Sequence, residues 1–395
     1  MSSEIFIVSG ARTPIGSFGG SLSGLSPTRL GSVAARAAIE RAAVDAADVE
    51  QAVFGQVIPT EPTDLYLGRT VAVAAGLPVE APALTVNRLC GSGVEAVVQA
   101  ARLIAAGEVE LSLAGGSEVL SRSPHALPAM RNGSKLGDSA VQDWLQGTLA
   151  DPFGHGAMGA LCDALGDKYD IPRERQDEYA YASQRKALAA IAAGHFVEQI
   201  APVEVPDRRG IRVFDVDEYP NASTDLEKLA KLRPVFRANG AVTAGNSSGI
   251  NDGAAAVVLA SGAEVARRGL TPMARILSWG HAGVAPELMG IGPVDAVPQA
   301  LRRAGLTLGD MDIVESNEAF AVQSLAVADL LGLDPERTNP NGGAIALGHP
   351  LGATGTIMIV KALYELRRTN KRHALVTMCI GGGQGIAMVL ENTAA

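Results

Sequence analysis

Three short segments of this sequence place reactive side chains next to glycines. Cys90 precedes the tripeptide Gly-Ser-Gly, His349 lies between a glycine and a proline, and Cys379 stands two residues before a run of three glycines. A thiol in a tight turn, a second thiol beside a permissive backbone and a histidine in a turn are groups that nucleophilic acyl chemistry uses. Together, the three segments indicate acyl transfer through a thioester.

Cys90 has the sequence surroundings of a nucleophile. An apolar, helix-like segment, 94–106, follows its glycines, so the sulfur is expected near a helix N-terminus. Free amides and the helix dipole at such a position lower a thiol pKa and can bind a developing oxyanion. The alternative is a buried structural cysteine, although such a residue would not require glycines in the turn.

His349 and Cys379 provide candidates for proton transfer. Pro350 excludes His349 from the middle of a helix, and the histidine is interpreted as the base that takes the thiol proton, with a structural histidine as the alternative. Cys379 ends an apolar strand, and its glycines lead into a second apolar strand rather than a helix, which argues against a dinucleotide site. These glycines are expected to free backbone amides, while strand packing remains the alternative role for Cys379.

Two polar segments and a third cysteine are less specific. Asn317 and Glu318 follow a predicted strand, 312–315, and suit either a polar crevice or the cap of the next helix. The polar cluster 244–253 is either a tight loop or a ligand-contacting loop. Cys162 lies in an apolar helical segment and is assigned to packing.

The chain carries an internal duplication. Segment 41–50 resembles segment 303–312, and each is followed by a short apolar strand, a key residue, an apolar helix and a strand ending in glycine. The key residues are Cys90 and His349. Strands that alternate with helices, read twice, predict two doubly wound halves whose matching loops meet. Chance similarity between alanine-rich helices is the alternative.

Composition sets limits on the remaining function classes. The 395 residues are 47% hydrophobic and include 45 glycines, as expected for an α/β enzyme with more than one domain. Three cysteines without CxxC spacing predict reduced thiols and no metal site, in a cytoplasmic protein. A net charge of −9 disfavours nucleic acid, and the lack of a long apolar run disfavours a membrane span.

A change in composition marks a segment inserted between the halves. Prolines and charged residues become frequent there, and an amphipathic helix is predicted from Arg173 to Ala193, after Pro172. We therefore expect an N-terminal half at 1–119, completed by 251–271, a ligand-binding insert at 120–250, and a C-terminal half at 272–395.

These segments together resemble the thiolase family over essentially the whole chain. The resemblance implies two similar five-stranded sheets in a duplicated α/β/α/β/α layered core with an inserted loop domain. It also implies that Cys90 becomes acylated, that His349 helps form its thiolate and that Cys379 acts as acid and base. Asn317 and His349 would form one oxyanion hole through a water, and the amides of Cys90 and Gly381 would form a second.

The same resemblance implies acyl-CoA and coenzyme A as substrates and products, with no permanently bound cofactor, and a homodimer or homotetramer. Two positions depart from the family pattern, because Ala157 stands where a histidine is usual and Asn221 where an arginine is expected. The expected coenzyme A contacts are Leu149, Met158, Phe236, Ala244, Ser248 and Phe320.

The sequence favours reversible Claisen condensation of two acetyl-CoA to acetoacetyl-CoA. Three alternatives remain open: thiolysis of longer or functionalised 3-oxoacyl-CoA esters, decarboxylative condensation on a carrier protein, and a nonenzymatic lipid-binding role. The carrier-protein reaction typically pairs its cysteine with two histidines or with histidine and asparagine, which Cys379 does not match.

Overall fold

The computed structural model describes residues 4–208 and 210–394. The strands are β1 (Ile5–Arg12), β2 (Gly16–Ser17), β3 (Gln51–Gly55), β4 (Ala83–Val86), β5 (Leu111–Val119), β6 (His125–Ala126), β7 (Gln142–Asp143), β8 (Ala150–Asp151), β9 (Gly156–Ala157), β10 (Val203–Asp207), β11 (Gly210–Phe214), β12 (Asn251–Ser261), β13 (Ala274–Gly283), β14 (Ile313–Ser316), β15 (His373–Ile380) and β16 (Gln384–Asn392). The helices are α1 (Pro27–Ala42), α2 (Leu67–Ala75), α3 (Ser92–Ala105), α4 (Trp144–Thr148), α5 (Met158–Lys168), α6 (Arg173–Ala192), α7 (Leu226–Ala230), α8 (Gly262–Arg268), α9 (Gly292–Ala304), α10 (Ala321–Leu331), α11 (Ala344–Leu347) and α12 (Leu351–Thr369).

The main strands follow the order β14-β15-β16-β13-β1-β12-β5-β3-β4. In the first half β4, β3 and β5 are parallel, whereas β12 and β1 are antiparallel to their neighbours. The second half repeats this arrangement with β14, β15, β16 and β13. Strands β5, β12 and β15 are buried along their whole length, as expected for strands covered on both faces.

The two sheets implied by the resemblance meet edge to edge. Strands β1 and β13 pair at Phe6 with Arg275 and at Ile7 with Ala274, which joins both halves into one hydrogen-bonded path. The position that corresponds to β4 is held in the second half by a single bridge between Val314 and Thr338. The duplicated strand order is therefore present, with a shortened fifth strand in the second half.

Helices α3 and α12 form the central layer between the halves. Both pack against strands of the first and second halves, and α1 and α9 cover the outer faces. The crossing is close at glycines: a Cβ at Gly93 would lie 2.6 Å from the backbone nitrogen of Thr356, and one at Gly355 would lie 2.4 Å from that of Val94. The α/β/α/β/α layering is thus confirmed, because two central helices share a buried interface.

Helix α12 begins earlier than the sequence predicts. An apolar helical segment was expected from Thr356 to Leu366, but the helix starts at Leu351, immediately after Pro350. Gly352 and Gly355 lower the local helix propensity, and their close tertiary contacts override it. His349 consequently lies two residues before a long helix.

Between β5 and β12 the chain forms short ribbons and helices. The ribbons pair β6 with β7, β8 with β9 and β10 with β11. Helix α6 runs from Arg173 to Ala192, close to its predicted bounds. Among the described residues, no helix is long and apolar enough to cross a membrane.

Candidate active site

The Cys90 turn connects strand β4 to helix α3. Leu89 adopts a left-handed backbone conformation with φ of 46°, which is uncommon for a bulky residue and marks a constrained turn. The hydroxyl of Ser92 donates to the carbonyl of Leu89 at 2.6 Å and accepts from the amide of Arg88 at 2.8 Å. Cys90 is half-buried and directly precedes Gly91, the N-cap of α3. The expected position at a helix N-terminus is present.

The protonation state of Cys90 differs from the sequence expectation. Burial raises the pKa of its thiol to about 11, and the nearby Glu118 carboxylate acts in the same direction. The backbone amides of Gly381 and of Cys90 itself oppose this shift without overcoming it. The predicted lowering of the pKa is therefore wrong for the protein without substrate, because desolvation outweighs the helix terminus and the amides.

Cys379 ends β15 beside the Cys90 turn. Burial raises the pKa of the Cys379 thiol well above its usual range, and Cys90 contributes to the shift. A Cβ added at Gly91 would lie 2.5 Å from Cδ1 of Ile380, the residue after Cys379. The amide of Gly381 is also near enough to Cys90 to affect the pKa of its thiol. These contacts place Cys90, Cys379 and Gly381 in one site.

A polar clamp fixes the two cysteine loops to each other. The guanidinium of Arg88 forms an ion pair with Glu95 at 3.0 Å and donates to the side-chain oxygen of Gln384 at 3.1 Å. Arg88 precedes Cys90 by two residues, and Gln384 follows the glycine run after Cys379. No local sequence pattern indicates this clamp, because its members come from both halves of the chain.

His349 is held by its backbone and by one ring nitrogen. Its amide donates to Oδ1 of Asn251 at 3.0 Å, and Nδ1 lies 2.7 Å from the hydroxyl of Thr354. Nε2 is buried and has no hydrogen-bond partner among residues 4–208 and 210–394. Burial lowers the pKa of His349 to about 4, so the imidazole is neutral near pH 7 and able to accept a proton. Leu351, two residues further on, packs in the same apolar cluster as Cys90.

The side-chain amide of Asn317 has no hydrogen-bond partner among the described residues. It follows β14, and its backbone nitrogen donates to the carbonyl of Thr377 at 3.0 Å. Both polar side-chain atoms are buried and lack a partner within the described residues. Asn317 and Thr354 line the same small pocket of about 20 Å³, which links the amide to the surroundings of His349. The capping alternative is wrong, since α10 begins at Ala321 with Phe320 as its N-cap.

The six residues expected to contact coenzyme A are partly linked to each other and to the cysteines. The amide of Met158 donates to the carbonyl of Leu149 at 3.0 Å, and a Cβ at Gly381 would lie 3.0 Å from the methyl group of Met158. The rings of Phe236 and Phe320 meet edge to face at 6.2 Å.

Ser248 and Ala244 belong to the polar segment 244–253. The amide of Ser248 donates to the carbonyl of Ala319 at 3.0 Å, so this segment is attached to the Asn317 loop. Ala244 is exposed. Asn251, in the same segment, holds the backbone of His349. Part of the polar cluster therefore has a structural role next to the histidine.

Ala157 and Asn221, the two positions that depart from the family pattern, are not deeply buried. Ala157 ends the small strand β9 and is half-buried beside Met158. Asn221 is exposed, and its side-chain oxygen accepts from Ser223.

Cys162 is buried in an apolar cluster that also contains Cys379, in agreement with its assignment to packing. In the described part of the chain, no cluster of three or more His, Cys, Asp or Glu residues is suited to a metal ion.

Comparison with known proteins identifies the family. The model of the thiolase N-terminal domain matches residues 5–263, and that of the thiolase C-terminal domain matches residues 270–392. The chain belongs to the thiolase family. This thiolase is 53% identical to the beta-ketothiolase BktB of Cupriavidus necator, over 99% of this chain and 100% of that protein. It is 46% identical to the acetyl-CoA acetyltransferase of Pseudomonas aeruginosa, over 98% of this chain and 99% of that protein.

A solved structure supports the same assignment. The human mitochondrial 3-ketoacyl-CoA thiolase in complex with CoA superimposes with a TM-score of 0.97 at 44% identity, covering 99% of this chain and 98% of that one. This thiolase is accordingly an acyltransferase. The sequence resemblance and the fold class are confirmed.

Proposed function

We propose that this thiolase catalyses the reversible Claisen condensation of two acetyl-CoA molecules to acetoacetyl-CoA and coenzyme A, through an acyl group carried on Cys90. The observation that carries the proposal is the convergence on one sulfur. The turn that carries Cys90 meets the end of the strand that carries Cys379, since a Cβ at Gly91 would lie 2.5 Å from Cδ1 of Ile380, and the amides of Cys90 and Gly381 are near enough to the Cys90 sulfur to oppose the rise in its pKa. A nucleophile, two oxyanion donors and a second thiol are the groups that this chemistry requires.

The first half-reaction would place the acyl group on Cys90. The thiol proton passes to Nε2 of His349, the sulfur attacks the thioester carbonyl of acetyl-CoA, and the carbonyl oxygen becomes an oxyanion beside the two amides. The carbon–sulfur bond to coenzyme A then breaks, and Cys379 protonates the leaving thiolate. Because Cys90 and His349 are both neutral at rest, proton transfer has to be coupled to attack on the carbonyl.

The second half-reaction would form the carbon–carbon bond. The Cys379 thiolate removes an α-proton from a second acetyl-CoA, and the resulting enolate attacks the acyl carbon on Cys90. The Cys90 thiolate leaves and regains its proton from His349. Asn317, whose buried amide has no partner within the described residues, is proposed to hold a water that donates to the enolate oxygen together with His349.

Coenzyme A is proposed to bind along the surface that leads away from the cysteines. Leu149 and Met158 are half-buried and tied together next to Gly381, and the Phe236 and Phe320 rings form an apolar edge. Ala244 and Ser248 extend this surface. The human mitochondrial 3-ketoacyl-CoA thiolase, whose structure is a complex with CoA, supports the same ligand for this chain.

A second candidate is thiolysis of longer 3-oxoacyl-CoA esters. Ala157 stands where the family pattern has a bulkier histidine, and it leaves more room beside Met158, whose methyl group lies close to Gly381. Relatives named beta-ketothiolase and 3-ketoacyl-CoA thiolase favour the same reaction. In this direction Cys90 attacks the 3-keto carbon, the bond between C2 and C3 breaks, and Cys379 protonates the departing acetyl-CoA enolate.

Mass spectrometry after brief incubation with acetoacetyl-CoA tests the proposed function. We expect an acetyl adduct on the peptide that contains Cys90. Rates measured for 3-oxoacyl-CoA esters of increasing chain length then separate the two candidates. Strong activity on longer esters with none on acetoacetyl-CoA would reject the first, and no adduct on Cys90 would reject both.

We further propose that this thiolase is a homodimer or homotetramer. Strand β4 lies at one end of the main sheet, and apolar side chains near it are exposed, including Leu65, Tyr66 and Leu84. An apolar edge strand is a surface that a second copy can cover. A cytoplasmic location stays a prediction from the sequence.

A further inference from the structure

Glu118 is a fully buried acidic residue near the end of a strand in the first half. It lies on β5, opposite Gly253 of β12, and its relative exposure is 0%. Burial raises the pKa of its carboxyl group to about 7, and hydrogen bonds from backbone amides oppose this shift because they stabilise the ionised form. The residues that satisfy Glu118 therefore indicate what holds the charge there.

Three backbone amides, two from a loop and one from the start of a helix, donate to the carboxyl oxygens of Glu118. Val57 and Gly352 donate to Oε2 at 2.9 Å and 2.8 Å, and Ile58 donates to Oε1 at 3.1 Å. Val57 and Ile58 belong to the loop after β3, in the first half. Gly352 belongs to the first turn of α12, three residues after His349. One side chain thus binds a loop of the nucleophile half to the turn that carries the base.

The loop after β3 is in turn connected to the Cys90 turn. The side-chain nitrogen of Asn87 donates to the carbonyl of Val57 at 3.1 Å, and its side-chain oxygen accepts from the amide of Leu89 at 2.9 Å. Leu89 is the residue before Cys90. Starting at the nucleophile, the hydrogen bonds run from Leu89 through Asn87 and Val57 to Glu118, and from there to Gly352.

The contact at Gly352 leaves no space for a side chain. A Cβ at this position would lie 2.7 Å from Oε2 of Glu118 and 2.8 Å from Cα of Gln56. Glycine is therefore required for the amide to approach the carboxylate. Glu118 is also close enough to Cys90 to raise the pKa of the thiol when the carboxyl group is ionised, which places this group near the reacting sulfur.

We propose that Glu118 is a positioning residue for the thiolase reaction, which sets the Cys90 turn relative to the His349 turn through Val57 and Asn87 on one side and Gly352 on the other. This inference rests on the proposed function. In the proposed reaction, Glu118 itself touches no reacting atom. Its role is to keep the sulfur and the imidazole in the geometry that proton transfer and attack require.

The proposal predicts a defect in the acylation step rather than in substrate binding. Glu118→Gln keeps the size of the side chain but replaces one acceptor with a donor that faces backbone amides, so at least one of the three bonds is lost. We expect the single-turnover rate of Cys90 acetylation by acetyl-CoA to fall about tenfold to a hundredfold, as for a displacement of about 1 Å. KM is expected to change little.

Two substitutions at Asn87 distinguish its hydrogen bond to Val57, which leads to Glu118, from its local hydrogen bond to Leu89. Asn87 is exposed, so these variants are expected to fold even if Glu118→Gln does not. Asn87→Ala removes both hydrogen bonds of the side chain. Asn87→Ser retains an oxygen that can accept from the amide of Leu89 but is too short to reach Val57. If the link to Glu118 matters, both variants acetylate slowly; a normal rate in Asn87→Ser would assign the effect to the local turn and overturn the proposal.

The double variant and a remote control complete the test. Because Glu118 and Asn87 act through one connection, Glu118→Gln combined with Asn87→Ala is expected to be hardly slower than the slower single variant, and multiplied losses would contradict the proposal. Glu264→Gln changes another buried carboxylate, on helix α8, and is expected to lower Tm without slowing acetylation. If the wild-type protein is acetylated on Cys90 and the folded Glu118 and Asn87 variants react at the same rate, this inference is wrong but the proposed function is unaffected. If wild-type Cys90 is not acetylated at all, both the inference and the proposed function are wrong.

Discussion

The hydroxyl of Thr354 lies 2.7 Å from Nδ1 of His349, inside the first turn of helix α12. Both residues are buried, and Nε2 of the same ring has no partner within the described residues. For His349 to act as a base through Nε2, the proton of the neutral ring has to be on Nδ1, where it donates to Thr354. The hydroxyl can accept this hydrogen bond, and the proposed mechanism requires the contact to select this tautomer.

Thr354→Val tests this selection. The change preserves the shape of the side chain but leaves Nδ1 without an acceptor, so we expect kcat to fall about tenfold or more, within the range seen for general-base contributions. Thr377→Val is the matched control, because Thr377 is equally buried and its hydroxyl donates to the carbonyl of Ile386 away from the histidine. Steady-state kinetics on both variants check the prediction, and equal losses of kcat would contradict it.

Substitutions of the two active-site cysteines are expected to block different steps of the reaction. Cys90→Ser replaces the nucleophile with a much weaker acid, so no acetyl adduct should form with acetoacetyl-CoA. Cys379→Ser keeps the nucleophile and should still be acetylated, but it should condense at least about a hundredfold more slowly, because the proton donor and acceptor is lost. Intact-protein mass spectrometry and a condensation assay distinguish these outcomes. Normal turnover in either variant would refute the assigned role.

Alkylation of Cys90 should depend on pH in an unusual range. Its pKa is raised by burial from 9.0 to about 11, so the thiolate fraction at pH 8 is about a hundredfold smaller than for an unperturbed thiol. The rate with iodoacetamide in the absence of substrate should therefore keep rising with pH beyond 9. The same peptide, followed by mass spectrometry in denaturant, provides the reference curve. A plateau at or below pH 9 in the folded protein would show that the amides of Gly381 and Cys90 outweigh burial.

The sequence was sufficient to locate Cys90, His349 and Cys379 in turns, because glycine and proline mark such positions locally. It was also sufficient for the duplicated strand and helix order, since the periodicity recurs in both halves. The direction of the Cys90 pKa shift could not be predicted from local sequence in the same way. A helix N-terminus can be read from neighbouring residues, whereas burial arises from segments distant in the sequence, such as the loop after β3 and the turn of α12.

The supporting residues were missed for a related reason. Glu118 contacts Gly352 across 234 positions, and no local pattern connects a glutamate in a strand with a glycine so far along the chain. One signal was available, since Glu118 is a charged residue in the otherwise uncharged β5 sequence. The early start of α12 was hidden by Gly352 and Gly355, whose helical conformation depends on contacts with the first half.

The close crossing of α3 and α12 predicts a stability effect at Gly355. A Cβ there would lie 2.4 Å from the backbone nitrogen of Val94, so Gly355→Ala forces the helices apart. Overpacking costs about 1–3 kcal/mol and should outweigh the gain of about 1 kcal/mol or less in helix propensity. Gly309→Ala is the control, because its Cβ would find its nearest neighbour at 3.7 Å. Denaturant unfolding should show a loss only for Gly355→Ala, and equal stability of the two variants would exclude a tight crossing.

The edge-to-face contact of Phe236 and Phe320 predicts a binding effect. Phe236 is 38% exposed, packs over Gly159 and meets Phe320 at 6.2 Å, on the surface assigned to coenzyme A. Phe236→Ala removes an apolar contact made in both ground and transition states, so KM for acetyl-CoA should rise about tenfold while kcat changes little. Val235→Ala removes a neighbouring side chain that is 57% exposed and should leave KM unchanged. If Phe236→Ala instead lowers kcat with an unaltered KM, the ring acts on the reacting groups, and the proposed path of coenzyme A along this edge is wrong.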